Sequence, residues 1–143
     1  MSINTKGVGG VPKQQALKIL RDVYNPNVLL LQETICVGTK SIDFLSIFLN
    51  DWKLCSLDVG LSGGMVRCWN NKFATSSSNV VSTGIVVEGR SKYLENIFKI
   101  INLYGPYHDR KIFCKDMGDS GRFLGDNVIV GGNLNLTLSQ RGV

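Results

Sequence analysis

Val28-Leu29-Leu30-Leu31-Gln32-Glu33-Thr34 is the stretch that decides the fold. Four consecutive apolar residues follow the turn signal Asn25-Pro26-Asn27. A run this short between turn signals reads as a strand buried on both faces. Such a strand delivers Gln32 and Glu33 to its carboxyl end, above an apolar sheet, which is a common way to hold chemical groups on a rigid scaffold.

Working outward, residues 2–5 form a short strand that Gly7-Val8-Gly9-Gly10 interrupts. Pro12 opens a helix from Lys13 to Tyr24. Its apolar positions Ala16, Leu17, Leu20, Val23 and Tyr24 mark one amphipathic face. Asn25-Pro26 ends it, because the residue before a proline avoids helical geometry. Downstream, a helix over Ser41 to Leu49 takes Ser41 as its cap. Strands follow at Trp52–Leu57 and Met65–Trp69, divided by the turn signal Ser62-Gly63-Gly64. Val80–Val87 is rich in β-branched residues and predicts one strand, with Ser76–Asn79 as a loop tip before it. Ile97–Tyr104 alternates, with Ile97, Lys99, Ile101 and Leu103 on one face, and Gly105-Pro106 stops it. A helix over Asp109–Met117 is expected to be cut short by Gly118 and Gly121. Val128-Ile129-Val130 is a last buried strand leading into Gly131-Gly132-Asn133-Leu134-Asn135. Helices mixed with consecutive strands imply an α/β (α+β) sandwich rather than an alternating doubly wound sheet. No repeat or linker divides residues 1–143, which read as a single domain.

The composition is that of a folded chain, with 43% hydrophobic and 19% charged residues. A net charge of +5 suits a polyanionic partner such as DNA. The basic residues are spread along the chain rather than clustered, so charge alone does not select nucleic acid. Cys36, Cys55, Cys68 and Cys114 form no CxxC pair and are joined by one histidine, His108, which argues against structural zinc and for buried free thiols. No apolar run approaches the length of a membrane span. Asn135-Leu136-Thr137 matches a glycosylation sequon, but the first residues show no basic region followed by an apolar run and do not read as a signal peptide, so its use is not expected. The Gly7–Gly10 loop before a helix suggests phosphate binding, but Pro12-Lys13-Gln14 breaks the P-loop pattern.

The polar residues at predicted strand ends are Asn4, Glu33, Tyr104, Asn133 and Asn135. Singly, each has an ordinary structural role: a solvated glutamate, a half-buried tyrosine, turn-forming asparagines. Together, Ile3-Asn4, Leu31-Gln32-Glu33-Thr34, Leu103-Tyr104-Gly105-Pro106 and Gly132-Asn133-Leu134-Asn135 follow an order that resembles the endonuclease/exonuclease/phosphatase superfamily. Ser62-Gly63-Gly64-Met65 running to Trp69, with Tyr104-Gly105-Pro106-Tyr107-His108-Asp109-Arg110, is similar to its plant LINE-type retrotransposon branch.

The resemblance implies a four-layer α/β sandwich and a nuclear DNA endonuclease using Mg2+ or Mn2+. It implies Glu33 as metal ligand, Asn4 as holder of that carboxylate and of the phosphate, and Tyr104 as a hydrogen-bonding group near the scissile phosphate. Asn135 would orient the phosphate. Asn133 stands where the family has the aspartate that positions or deprotonates water. An amide cannot take that proton. The chain stops at Val143, before the place where the family carries a Ser-Asp-His segment, and His108 reads as a loop residue. These departures predict a truncated, inactive domain with exposed apolar sheet; as partners the resemblance leaves open a missing C-terminal segment or a reverse transcriptase domain. The alternative is a non-catalytic nucleic-acid-binding remnant.

Overall fold

A computed structural model describes residues 1–36, 40–58, 64–81, 84–91, 93–106, 108–121 and 123–135. Ser62 and Gly63, Tyr107, and Leu136 with Thr137 of the sequon lie outside the described residues. The elements run β1 (Ser2–Asn4), α1 (Val11–Tyr24), β2 (Val28–Gln32), α2 (Lys40–Ser46), β3 (Trp52–Leu57) and β4 (Met65–Asn70), then β5 (Ala74–Val81), β6 (Gly84–Ser91), β7 (Phe98–Tyr104), α3 (Arg110–Asp119) and β8 (Val128–Asn133).

The strands form two sheets, ordered β1-β2-β4-β3 and β5-β6-β7-β8. Alternation along the strands sorts their side chains into layers. Leu29, Leu31, Val66 and Cys68 face outward from the first sheet, against Leu17 of α1 and Leu45 of α2. Leu30 packs the other way, with Val87, Phe98 and Ile100 of the second sheet. Met65, Ile85 and Tyr104 fill the same inter-sheet space. Val86, Ile101 and Leu103 turn away from it, toward Met117 of α3 and Phe123. Helices, sheet, sheet and helix therefore make the four layers of an α/β sandwich, as the sequence predicts.

Several local readings are corrected. Residues 76–79 are not a loop tip; they sit inside β5, which pairs antiparallel with β6 from Ala74↔Ser91 to Val81↔Gly84. Backbone pairing at a sheet edge has overridden the low strand preference of serine and asparagine. Val80–Val87 is accordingly split between two strands. Ser41 is a buried residue within α2 and not its cap. Gly118 lies inside α3, which runs on to Asp119, and it is Gly121, with φ +62°, that follows the helix end. On α1 only Leu17 of the predicted face is buried, while Val23 and Tyr24 are exposed. The contact row is turned by about one position, because Arg21 lies over the Phe48 ring and donates to the Phe48 carbonyl. All four thiols are free, but only Cys68 is buried, and Cys114 is exposed. Burial pushes the Cys68 thiol far up, so it stays neutral.

β8 departs from its reading as a buried strand. Ile129 is 61% and Val130 46% exposed, and among the described residues β8 pairs with β7 alone. The expected exposed apolar sheet surface is therefore found here.

Arg67 of β4 is fully buried. Its guanidinium carbon lies 4.1 Å from the Trp69 ring centroid. Among the described residues, none of its three side-chain nitrogens has a hydrogen-bond partner, and neither has Trp69 Nε1. Burial lowers the guanidinium pKa to about 10, so the group remains charged at neutral pH. Cation–π contact returns roughly 2 kcal/mol in a dry site. Taking an ion out of water costs several kcal/mol, so the ring does not compensate the charge.

Candidate functional site at the carboxyl ends of two parallel strand pairs

Each sheet contains one parallel pair joined through a helix: β1 and β2 in the first, β7 and β8 in the second. The sequence-predicted residues lie at the carboxyl ends of these strands. Asn4 ends β1, in register with Gln32. Glu33 follows β2, and Tyr104 ends β7 in register with Asn133 at the end of β8. Ligand sites in open α/β sheets favour such strand ends.

The two pairs approach closely at Gly131. A Cβ built there would lie 2.6 Å from Leu30 Cδ1 of the opposite sheet. Next to it, Gly132 has φ +137°, a conformation that side-chain-bearing residues avoid, with the Leu103 carbonyl pressed against the missing Cβ. These glycines let the second sheet come close enough for Asn133 Nδ2 to donate to Glu33 Oε1 at 3.3 Å. Asn133 Oδ1 in turn accepts the Asn135 amide at 3.0 Å, and Asn135 Nδ2 donates to the Gly105 carbonyl at 2.7 Å.

The backbone around Glu33 is fixed as firmly. Gly7 N–H donates to the Glu33 carbonyl at 2.7 Å, and the Thr5 hydroxyl donates to the same oxygen at 3.2 Å. Lys6, Glu33, Ile35 and Asn135 all have positive φ, between 46° and 53°. Such a conformation costs about 1–3 kcal/mol at each non-glycine residue and persists only where the surroundings enforce it. Among the described residues the other such positions, Asn25 and Asp109, are helix caps.

The predicted residues are not all equivalent. Glu33, Asn133 and Asn135 are brought together. Asn4 is exposed beside them, its Oδ1 accepting the Lys6 amide at 3.3 Å. Tyr104 points inward, 7% exposed, against Met65 and Ile85. His108 is exposed just ahead of α3, as a loop residue should be.

Sequence reading missed the pair beneath the site. Gln32 Nε2 donates to Asn102 Oδ1 at 2.7 Å across the sheet–sheet interface and to Ser2 Oγ at 3.2 Å. Asn102 Nδ2 reaches the Leu31 carbonyl at 3.5 Å. Both amides are buried. A polar residue at an inward position of an otherwise apolar strand was the available signal for Asn102.

Glu33 is half-exposed and has no ion pair among the described residues. No group of three or more His, Cys, Asp or Glu side chains gathers among those residues. A hard divalent cation accepts one or two carboxylates and completes its shell with waters and substrate phosphates. Glu33 as a single half-exposed carboxylate fits that mode of holding, and does not fit a preformed all-protein cage.

No family model matches the chain, and no curated protein does. Solved structures do. TDP2 from C. elegans is 20% identical, with 95% of this chain and 47% of that chain covered and a TM-score of 0.65. The endonuclease domain of TRAS1, a telomere-specific non-LTR retrotransposon, is 12% identical, with 96% and 60% covered and a TM-score of 0.69. An endonuclease/exonuclease/phosphatase family protein from Bacteroides thetaiotaomicron is 12% identical, with 94% and 60% covered and a TM-score of 0.62. The chain thus spans about half to three fifths of the length of these structures, and over that span it has the fold of the endonuclease/exonuclease/phosphatase type.

Proposed function

We propose that the chain is a metal-dependent nucleic-acid phosphodiesterase domain acting on nuclear DNA, of the LINE-type retrotransposon branch, in a catalytically weakened form. The observation that carries this reading is the Asn133–Glu33 contact at 3.3 Å, which joins residues of two sheets at their strand ends. The likeness to the TRAS1 endonuclease domain supports it, as does a matching TDP2 structure from D. rerio that is complexed with a single-strand DNA product.

Mg2+ held by Glu33 would neutralise phosphoryl charge and stabilise the leaving oxygen, with Asn4 placed to help hold that carboxylate and the phosphate. The remaining residues act in their own right. Asn133 holds Glu33 in place and can orient a water by hydrogen bonding, but it has no basic atom to deprotonate it. Asn135, tied to Gly105, fixes the loop on which the phosphate would rest. Tyr104, directly before Gly105, is anchored by packing against Met65 and Ile85. General-base assistance contributes roughly 10²–10⁴-fold, so its absence at Asn133 weakens the enzyme.

The test is Mg2+-dependent nicking of supercoiled plasmid. Glu33→Ala should lower the rate by at least about a hundredfold, the scale of several kcal/mol from a metal ligand. Asn133→Asp should raise it by about a hundredfold or more. A folded wild-type chain that nicks no faster than Glu33→Ala, yet binds DNA with steep salt dependence and no need for Mg2+, would replace this reading with a binding module.

A further inference from the structure

One hydroxyl reaches two successive carbonyls where β2 ends. Thr5 Oγ1 lies 2.9 Å from the Gln32 oxygen and 3.2 Å from the Glu33 oxygen. In an extended strand, successive carbonyls point to opposite sides, toward different neighbours. A single donor faces both only where the chain turns between them. Glu33 makes that turn, with φ +53°.

The loop between β1 and α1 bends in the same sense to meet it. Lys6 and Gly7 have φ +46° and +102°, and the Lys13 ammonium donates to the Lys6 carbonyl between them. The Gly7 amide then lies 2.7 Å from the Glu33 oxygen, and the Val8 amide 3.0 Å from that of Thr34. Thr5 N–H donates to the Gln32 oxygen at 2.9 Å. These amide bonds are open to any residue except proline. The Thr5 hydroxyl is different, because a substitution can remove it and leave the backbone pairing in place.

A left-handed conformation at a residue with a side chain persists only where its surroundings enforce it. Without the hydroxyl, Glu33 loses a bond made only in the turned state, and the extended state gains population. The direction of Cβ follows the backbone, so the carboxylate moves with it. We propose that Thr5 is a positioning residue for Glu33: its hydroxyl latches the turned backbone and thereby sets the affinity of the carboxylate for a hard divalent cation. This rests on the metal-dependent reading given above. Thr5 acts through the Glu33 backbone and not by contact with ion or substrate.

The test follows Mn2+ binding to the full chain by the paramagnetic resonance of the free ion, and exchange of the Gly7 amide by NMR. Thr5→Val keeps the branched shape and removes the donor. It should lower Mn2+ affinity by about threefold to tenfold, the scale of one hydrogen bond, because only the turned fraction binds. The Gly7 amide should exchange faster while amides of β4 keep their protection, which a general loss of stability would not produce. Thr5→Ser should restore both. If Thr5→Val does not fold, Thr5→Cys, a weak donor, takes its place with a smaller loss expected. Parent-like Mn2+ affinity in that variant, beside a Glu33→Ala control that has lost the ion, overturns this proposal alone, as does failure of serine to restore binding. A Glu33→Ala chain that binds Mn2+ as tightly as the parent removes the metal reading and this proposal with it.

Discussion

The two parallel strand pairs are built alike and buried unlike. In the first, β2 lies between β1 and β4, and Leu31 at its centre is fully buried. In the second, β8 has β7 on one side and no strand of the described residues on the other, so Ile129 and Val130 meet solvent. The first pair supplies the carboxylate, Glu33. The second supplies amides, Asn133 and Asn135. One half of the site therefore rests on a closed core, and the other on an open edge held mainly by backbone pairing and by contact with the first half.

The largest way to break this contrast is Leu31→Ala. It should cost about 3–4 kcal/mol, read from denaturant unfolding, because it opens a cavity in a packed core. Next comes Asn102→Ala, which leaves the Gln32 amide without its partner across the sheets. A loss of about 1–3 kcal/mol is expected, together with weaker retention of Mn2+ at Glu33 in a titration, since the two halves are then less well aligned. Smallest is Ile129→Thr on the open strand, expected to change stability by less than about 0.5 kcal/mol. It should also reduce self-association in sedimentation, because an exposed apolar edge is the surface on which chains stick. An Ile129→Thr cost as large as that of Leu31→Ala would show that β8 is covered in solution.

How legible this was in the sequence depended on the kind of signal. The run from Val28 to Leu31 has no competing interpretation, so β2 and the position of Glu33 followed from it. Asn133 and Asn135 were found through their place after a buried-looking strand, though that strand proves half open. β5 was illegible because asparagine and serine are poor strand signals and the backbone pairing with β6 that holds them there cannot be read from spacing. The α1 face was misplaced because Arg21 packs like an aliphatic residue along Phe48, which hydrophobicity counts do not register. Asn102 was missed because its importance comes from the Gln32 amide that it meets across the sheet interface, and strand spacing cannot reveal that.

Gly131 gives the site an adjustable gap. Its absent side chain is what brings the second sheet to within contact of Leu30. Alanine, serine or valine at this position would act as shims of graded thickness, parting Glu33 from Asn133 without touching either. A series of such variants would turn the separation of the two half-sites into an independent variable, against which ion affinity and cleavage rate could each be plotted.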